Sequence, residues 1–140
     1  MRIPFKKLDP NAQAPHRGSP FAAGYDLTAT SRTYDKDKNT WIYGTGLAVA
    51  IPNGHVGLLF PRSSVYTRSL ILANCIGVID ADYRGEIKVL FRKLSEGAIY
   101  SVGERIAQLM ILPIPEITFT ETEQLDETAR DTGGLGSTGA

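Results

Sequence analysis

The chain has 140 residues, and its 15 Lys and Arg balance 15 Asp and Glu, which excludes binding of nucleic acid or an anionic membrane by bulk charge. This length sets one ordinary domain that buries roughly 68–70% of its unfolded surface, enough for a core. The single Cys75 excludes an internal disulfide framework, and with only His16 and His55 beside it a structural zinc site lacks ligands. The expectation is a protein with no nucleic-acid or membrane partner. Apolar runs stay short of the ~20 residues of a bilayer span. Met1-Arg2-Ile3-Pro4-Phe5-Lys6-Lys7 does not lead into a signal-peptide core, so a cytoplasmic, intracellular location is expected.

Fourteen Gly and eight Pro cut the chain into short segments in which period-two alternation recurs, without a helical period over twelve residues. Asp35-Lys36-Asp37-Lys38-Asn39-Thr40 reads as a solvated hairpin tip. Leu47, Val49 and Ile51 alternate with small residues up to the turn Pro52-Asn53-Gly54. A strand through Ile79 is predicted to turn and return through residues 86–91 as a β-hairpin, with Ile87, Val89 and Phe91 on one face and Glu86 and Lys88 on the other. Residues 105–112 are apolar on both faces apart from Gln108, as for a strand covered on both sides. Ile117 and Phe119 alternate with Thr118 and Thr120. The predicted fold is all-β, a jelly-roll-like sandwich or barrel over residues 1–120. Residues 121–140 are acidic and then glycine-rich, with too little apolar surface to offset the entropy of ordering. They read either as a disordered tail or as a mobile flap whose glycine N–H groups close on an anion beside Arg130.

Four stretches carry possible chemistry. In Phe60-Pro61-Arg62-Ser63-Ser64, a serine either caps a helical turn or joins Arg62 in holding phosphate. In Asn74-Cys75-Ile76-Gly77-Val78-Ile79-Asp80-Ala81-Asp82-Tyr83-Arg84-Gly85, Asp and Gly suit a tight turn. Equally, Asp80 at the strand end suits deprotonation of a water near phosphate, and the strand edge suits reading a base. Gln108 within an apolar strand must find partners, in a structural network or on a ligand. Asp26 either organises a site through Arg62 or metal-bound water, or makes a structural salt bridge.

Taken in order, five segments resemble the motifs of the trimeric dUTPases, the deoxyuridine triphosphate nucleotidohydrolases. They are Ala23-Gly24-Tyr25-Asp26-Leu27, Pro61-Arg62-Ser63-Ser64, Gly77 through Gly85, Gly103-Glu104-Arg105-Ile106-Ala107-Gln108-Leu109, and the tail Arg130-Asp131-Thr132-Gly133-Gly134-Leu135-Gly136-Ser137-Thr138-Gly139. The resemblance implies a jelly-roll homotrimer with active sites at subunit interfaces, each closed by a C-terminal flap. It implies hydrolysis of dUTP to dUMP and pyrophosphate with Mg²⁺, which is carried by the triphosphate without a direct protein ligand. By matching positions, Asp80 would activate the attacking water and Tyr83 would exclude a 2′-hydroxyl. Asn74 and the backbone of Gly77, Val78 and Ile79 would read uracil, and Lys88 would line the substrate. Arg62, Ser63, Ser64 and Gln108 would hold the triphosphate, with Arg130, Gly133, Gly134 and Gly136 clamping its distal end and Leu135 covering the base.

Two positions depart from the family pattern. Leu135 stands where Phe is usual, which implies weaker tail ordering, and Ser64 stands where many members carry Gly. Arg-Ser-Ser also occurs in the related dCTP deaminases, but those enzymes use a Glu where this chain has Leu90. The third alternative, a non-catalytic regulatory relative, has no need of Asp80, Tyr83, Gln108 and Arg130 together.

Overall fold

Of the alternating residues 86–91, the stretch from Lys88 onward becomes strand in the computed structural model, which describes residues 1–135, while Glu86 and Ile87 precede it. In chain order the strands are β1 (Phe5–Lys7), β2 (Tyr25–Thr28), β3 (Ser31–Asp35), β4 (Thr40–Gly44) and β5 (Leu47–Val49), then β6 (His55–Pro61), β7 (Leu70–Leu72), β8 (Gly77–Ile79), β9 (Lys88–Lys93) and β10 (Arg105–Pro113). They form two four-stranded antiparallel sheets, β2-β10-β6-β8 and β3-β4-β9-β7, with β1-β5 as a small third sheet. No helix among the described residues is long and apolar enough to cross a membrane.

The alternating apolar residues meet in one core. Ile87, Val89 and Phe91 are buried from one side, and Leu47, Val49 and Ile51 join them. At its centre the rings of Tyr43, Phe91 and Tyr100 pack with centroids 5.5 to 6.4 Å apart in tilted and edge-on geometry. Burying a side chain of this size contributes about 1.5–3 kcal/mol over leaving it exposed. As predicted, residues 35–40 form the β3–β4 tip; β10 is a strand paired on both edges, with β2 and β6, and its C-terminal part from Met110 is only partly buried or exposed.

Three expectations are corrected. The segment around Asp80 is not a β-hairpin: β8 pairs with β6, whereas β9 pairs with β4 and β7. Alternation fixes which face a residue takes but not which strand it pairs with, and residues 80–87 are long enough to cross between sheets. Ile117 and Phe119 lie in exposed non-strand chain: β10 ends at Pro113, and no described strand pairs with the segment that follows it. Neither serine caps the turn after β6: its 3-10 helix, Ser63–Thr67, starts from Arg62 and has no side-chain cap.

Candidate functional site

The residues split into three groups. The first surrounds a cavity of about 240 Å³ at β8, the edge strand of its sheet, and includes Asn74, Gly77, Val78, Ile79, Asp80, Tyr83 and Lys88. An edge strand leaves alternate N–H and C=O groups unpaired, available to the rim of a planar ligand. A Cβ on Gly77 would lie 2.9 Å from Leu59 Cβ and 3.6 Å from Asn74 Nδ2, so glycine lets β8 press onto β6 with the Asn74 amide close by. Cys75 takes a left-handed φ of 59° and bends the chain between Asn74 and β8.

The loop after β8 holds Tyr83 in place. Its phenol donates to the Glu86 carbonyl at 2.9 Å, and its amide donates to the Asp80 carbonyl at 3.2 Å. The ring lies over Gly85, where a Cβ would come within 2.6 Å of Tyr83 Cζ. Arg84 turns away and donates to the Ala81 and Tyr83 carbonyls, bracing the loop. Sequence reading missed Glu86, which also lines the cavity, accepts from the Gly46 amide at 2.9 Å and stands 3.7 Å from Lys88 Nζ. Its alternation with Lys88 on the polar face was the available signal.

The second group is built on Asp26. Arg62 Nε donates to its Oδ1 at 2.9 Å and an Arg105 guanidinium N–H donates to its Oδ2 at 3.0 Å. The carboxylate is buried, and both of its oxygens are occupied by guanidinium. A bulge between Arg105 and Ala107 shifts the β10 register so that Gln108 stands opposite Asp26. Gln108 Nε2 donates to the Pro61 carbonyl at 3.2 Å, and a Cβ on Gly24 would sit 2.7 Å from Gln108 Oε1. Ser63 is exposed, and the Ser64 hydroxyl lies 3.3 Å from the Tyr100 phenol. Asp26 pairs with both Arg62 and Arg105, an arrangement that both readings of this residue accommodate.

The third group is the tail. Arg130 Nε donates to the Gly133 carbonyl at 2.9 Å and the Gly133 amide returns a bond to Arg130, closing a local turn. Gly134 and Leu135 follow in the exposed chain, and Gly136 lies outside the described residues.

The structure therefore unites the residues around Asp80, unites those around Asp26, and leaves the described residues of the tail apart from both. Neither Arg62, Ser63, Ser64 nor Gln108 lines the Asp80 cavity. From β8 across β6 and β10 to β2 are three strand spacings, about 14 Å. Leu90 lines a different groove, beside Ile42 and Arg92.

The family model described as dUTPase matches residues 10–139. The deoxyuridine 5′-triphosphate nucleotidohydrolase of Rhodococcus erythropolis is 42% identical over 142 residues, covering 99% of this chain and 87% of that one. The protein of the same name from Corynebacterium glutamicum is 43% identical over 140 residues, covering 98% of this chain and 94% of that one. A variant of the Staphylococcus bacteriophage 80alpha dUTPase, solved with dUpNHpp, superposes with a TM-score of 0.87 at 28% identity over 99% of both chains. A dUTPase variant from S. aureus phage phi11, described with a structural Mg(II) ion, superposes at 0.77 with 26% identity, covering 89% of this chain and 98% of that one.

Proposed function

The chain belongs to the dUTPase family, and on that footing we propose that it hydrolyses dUTP to dUMP and pyrophosphate at composite sites shared between the subunits of a homotrimer. The observation that carries this reading is the gathering of Asn74, the edge of β8, Asp80 and Tyr83 around one cavity. Those residues bind a nucleoside but hold little to neutralise a triphosphate. The Arg62, Ser63, Ser64 and Gln108 group has the complementary deficiency, and none of its members lines the Asp80 cavity within one chain. A second subunit that brings its Arg62 group to the Asp80 cavity removes both deficiencies. Residues 1–120 form the body in this reading, and the tail of residues 121–140 closes the site, with Arg130 and the glycines around Leu135 on the distal phosphates.

Uracil presents acceptor, donor and acceptor along its pairing edge. Asn74 and the free groups of Gly77, Val78 and Ile79 complement that order, and cytosine leaves them unpaired, which gives strong rejection. Tyr83, braced by Glu86 and seated on Gly85, fills the space that a 2′-hydroxyl requires. Asp80 takes a proton from water as its oxygen attacks the α-phosphorus. The bond from that phosphorus to the bridging oxygen breaks, and pyrophosphate leaves. Arg62, held by Asp26, and the Ser63, Ser64 and Gln108 side chains orient the phosphates, and Lys88 stands beside the nucleoside.

The donor set fits Mg²⁺ that arrives on the triphosphate. Both Asp26 oxygens are engaged by arginine, which leaves phosphate oxygens and water as the natural ligands and any Asp26 contact indirect. The bound ion supplies charge neutralisation. This reading implies an intracellular enzyme that limits uracil incorporation into DNA and supplies dUMP for thymidylate synthesis.

The test is pyrophosphate release from dUTP, UTP, dTTP and dCTP, with ammonia followed in the dCTP arm and mass determined in solution. The reading expects release from dUTP by a trimer and minor turnover of the others. Ammonia from dCTP, or a monomer that cleaves dUTP at full rate, overturns it.

A further inference from the structure

The phenol of Tyr100 lies 3.3 Å from Ser64 Oγ, and the composite site described above gives Tyr100 itself no role. Tyr100 is 1% exposed, and its surroundings fix it on every side. Its carbonyl accepts from Tyr43 Oη at 2.9 Å and from Arg32 at 2.8 Å. The Arg68 guanidinium covers the ring 4.9 Å from its centroid and is anchored to Glu104 at 2.7 Å. A buried phenolic proton must have an acceptor, and the acceptor the structure offers it is Ser64 Oγ. When the phenol donates, the proton of Ser64 is left free to donate in turn. Ser64 belongs to the 3-10 helix that starts from Arg62, which places it in the same turn as Arg62 and Ser63.

We infer that Tyr100 is a positioning residue for triphosphate binding: its buried phenol donates to Ser64 and thereby turns the Ser64 hydroxyl into an oriented donor to phosphate. A hydroxyl that accepts one hydrogen bond becomes a better donor for the next, so the pair acts as a short relay. At 3.3 Å the contact is longer than an optimal O–H···O bond, and it tightens when an anion draws the Ser64 proton outward. Where a glycine would leave this position without a hydroxyl, Ser64 and Tyr100 together supply one. The relay rests on dUTP binding at the composite site described above.

The test uses the full chain with Tyr100→Phe, Ser64→Ala and the double variant. Steady-state hydrolysis of dUTP is measured beside calorimetric binding of an α,β-imido dUTP analogue and of deoxyuridine. Each single variant is expected to raise KM and weaken the imido analogue about three- to tenfold, the range for loss of one hydrogen bond. kcat and deoxyuridine affinity stay within about twofold, because the relay touches only phosphate. The double variant is expected to match the singles, since both interrupt the same relay. Multiplying effects in the double variant, equal weakening of deoxyuridine, or unchanged triphosphate affinity in Tyr100→Phe would each overturn the inference. If Tyr100→Phe does not fold, Ser64→Ala decides alone, and unchanged triphosphate affinity there overturns it. A wild-type protein that leaves dUTP intact defeats the underlying reading instead, which separates the two failures.

Discussion

Asp26 accepts a hydrogen bond from Arg62 Nε at 2.9 Å, and that ion pair ties β2 to the start of the 3-10 helix beyond β6. The other carboxylate oxygen holds Arg105 from β10, so one buried acid sets the direction of two guanidinium groups. Substitution Asp26→Asn keeps the volume but leaves both arginines beside a neutral amide. We expect a stability loss of about 1.5–3 kcal/mol, the scale of hydrogen bonds to charged groups, together with a raised KM for dUTP. Urea unfolding and steady-state kinetics measure the two effects, and a variant normal in both would deprive the clamp of its role.

Asp80 lines the β8 cavity without belonging to the pairing of any sheet. Asp80→Asn should bind the imido analogue with near-native affinity while kcat falls about 10²–10⁴-fold, the contribution of a general base. Native turnover in this variant would exclude Asp80 from proton abstraction.

Gly85 lets the Tyr83 ring approach the backbone closely, since a Cβ there would come within 2.6 Å of Cζ. Gly85→Ala therefore displaces the ring from the sugar position. The ratio of kcat/KM for dUTP to that for UTP should fall on the order of tenfold, because the barrier to the 2′-hydroxyl is removed. An unaltered ratio would mean that Tyr83 does not set sugar selectivity.

Among the described residues of the tail the hydrogen bonds run within the tail, from Thr122 to Gln124, from Asp131 to Thr128 and between Arg130 and Gly133. Deleting the residues after Leu125 should leave the unfolding midpoint and the assembly unchanged. It should lower kcat/KM about 10²-fold, comparable to loss of a charge-stabilising donor group. Full activity after truncation would refute closure by the tail.

Burial pushes the Tyr43 phenol above the ordinary tyrosine value. The folded protein thus keeps this group neutral at a pH where the unfolded chain ionises it. Its contribution is intact below about pH 10 and is lost as pH rises through the folded-state value. Urea midpoints between pH 8 and 11 should show a decline that is smaller in Tyr43→Phe, although that variant starts lower for want of the 2.9 Å bond to the Tyr100 carbonyl. Parallel slopes in the two proteins would exclude Tyr43 as the source.

What the sequence determined by itself was local. Period-two alternation put Ile87, Val89 and Phe91 on one face, and glycine and proline marked the strand ends. The order of short polar motifs named Asn74, Asp80 and Tyr83, which do share a cavity. Tertiary structure decided which partners those residues have. The strands on either side of Asp80 enter different sheets, Asp26 reaches Arg62 across 36 positions and Arg105 across 79, and Ser64 meets Tyr100. A side chain's face follows from the geometry of its own strand. Its partner depends on strand order and on a one-residue bulge in β10, properties that no short window of sequence contains.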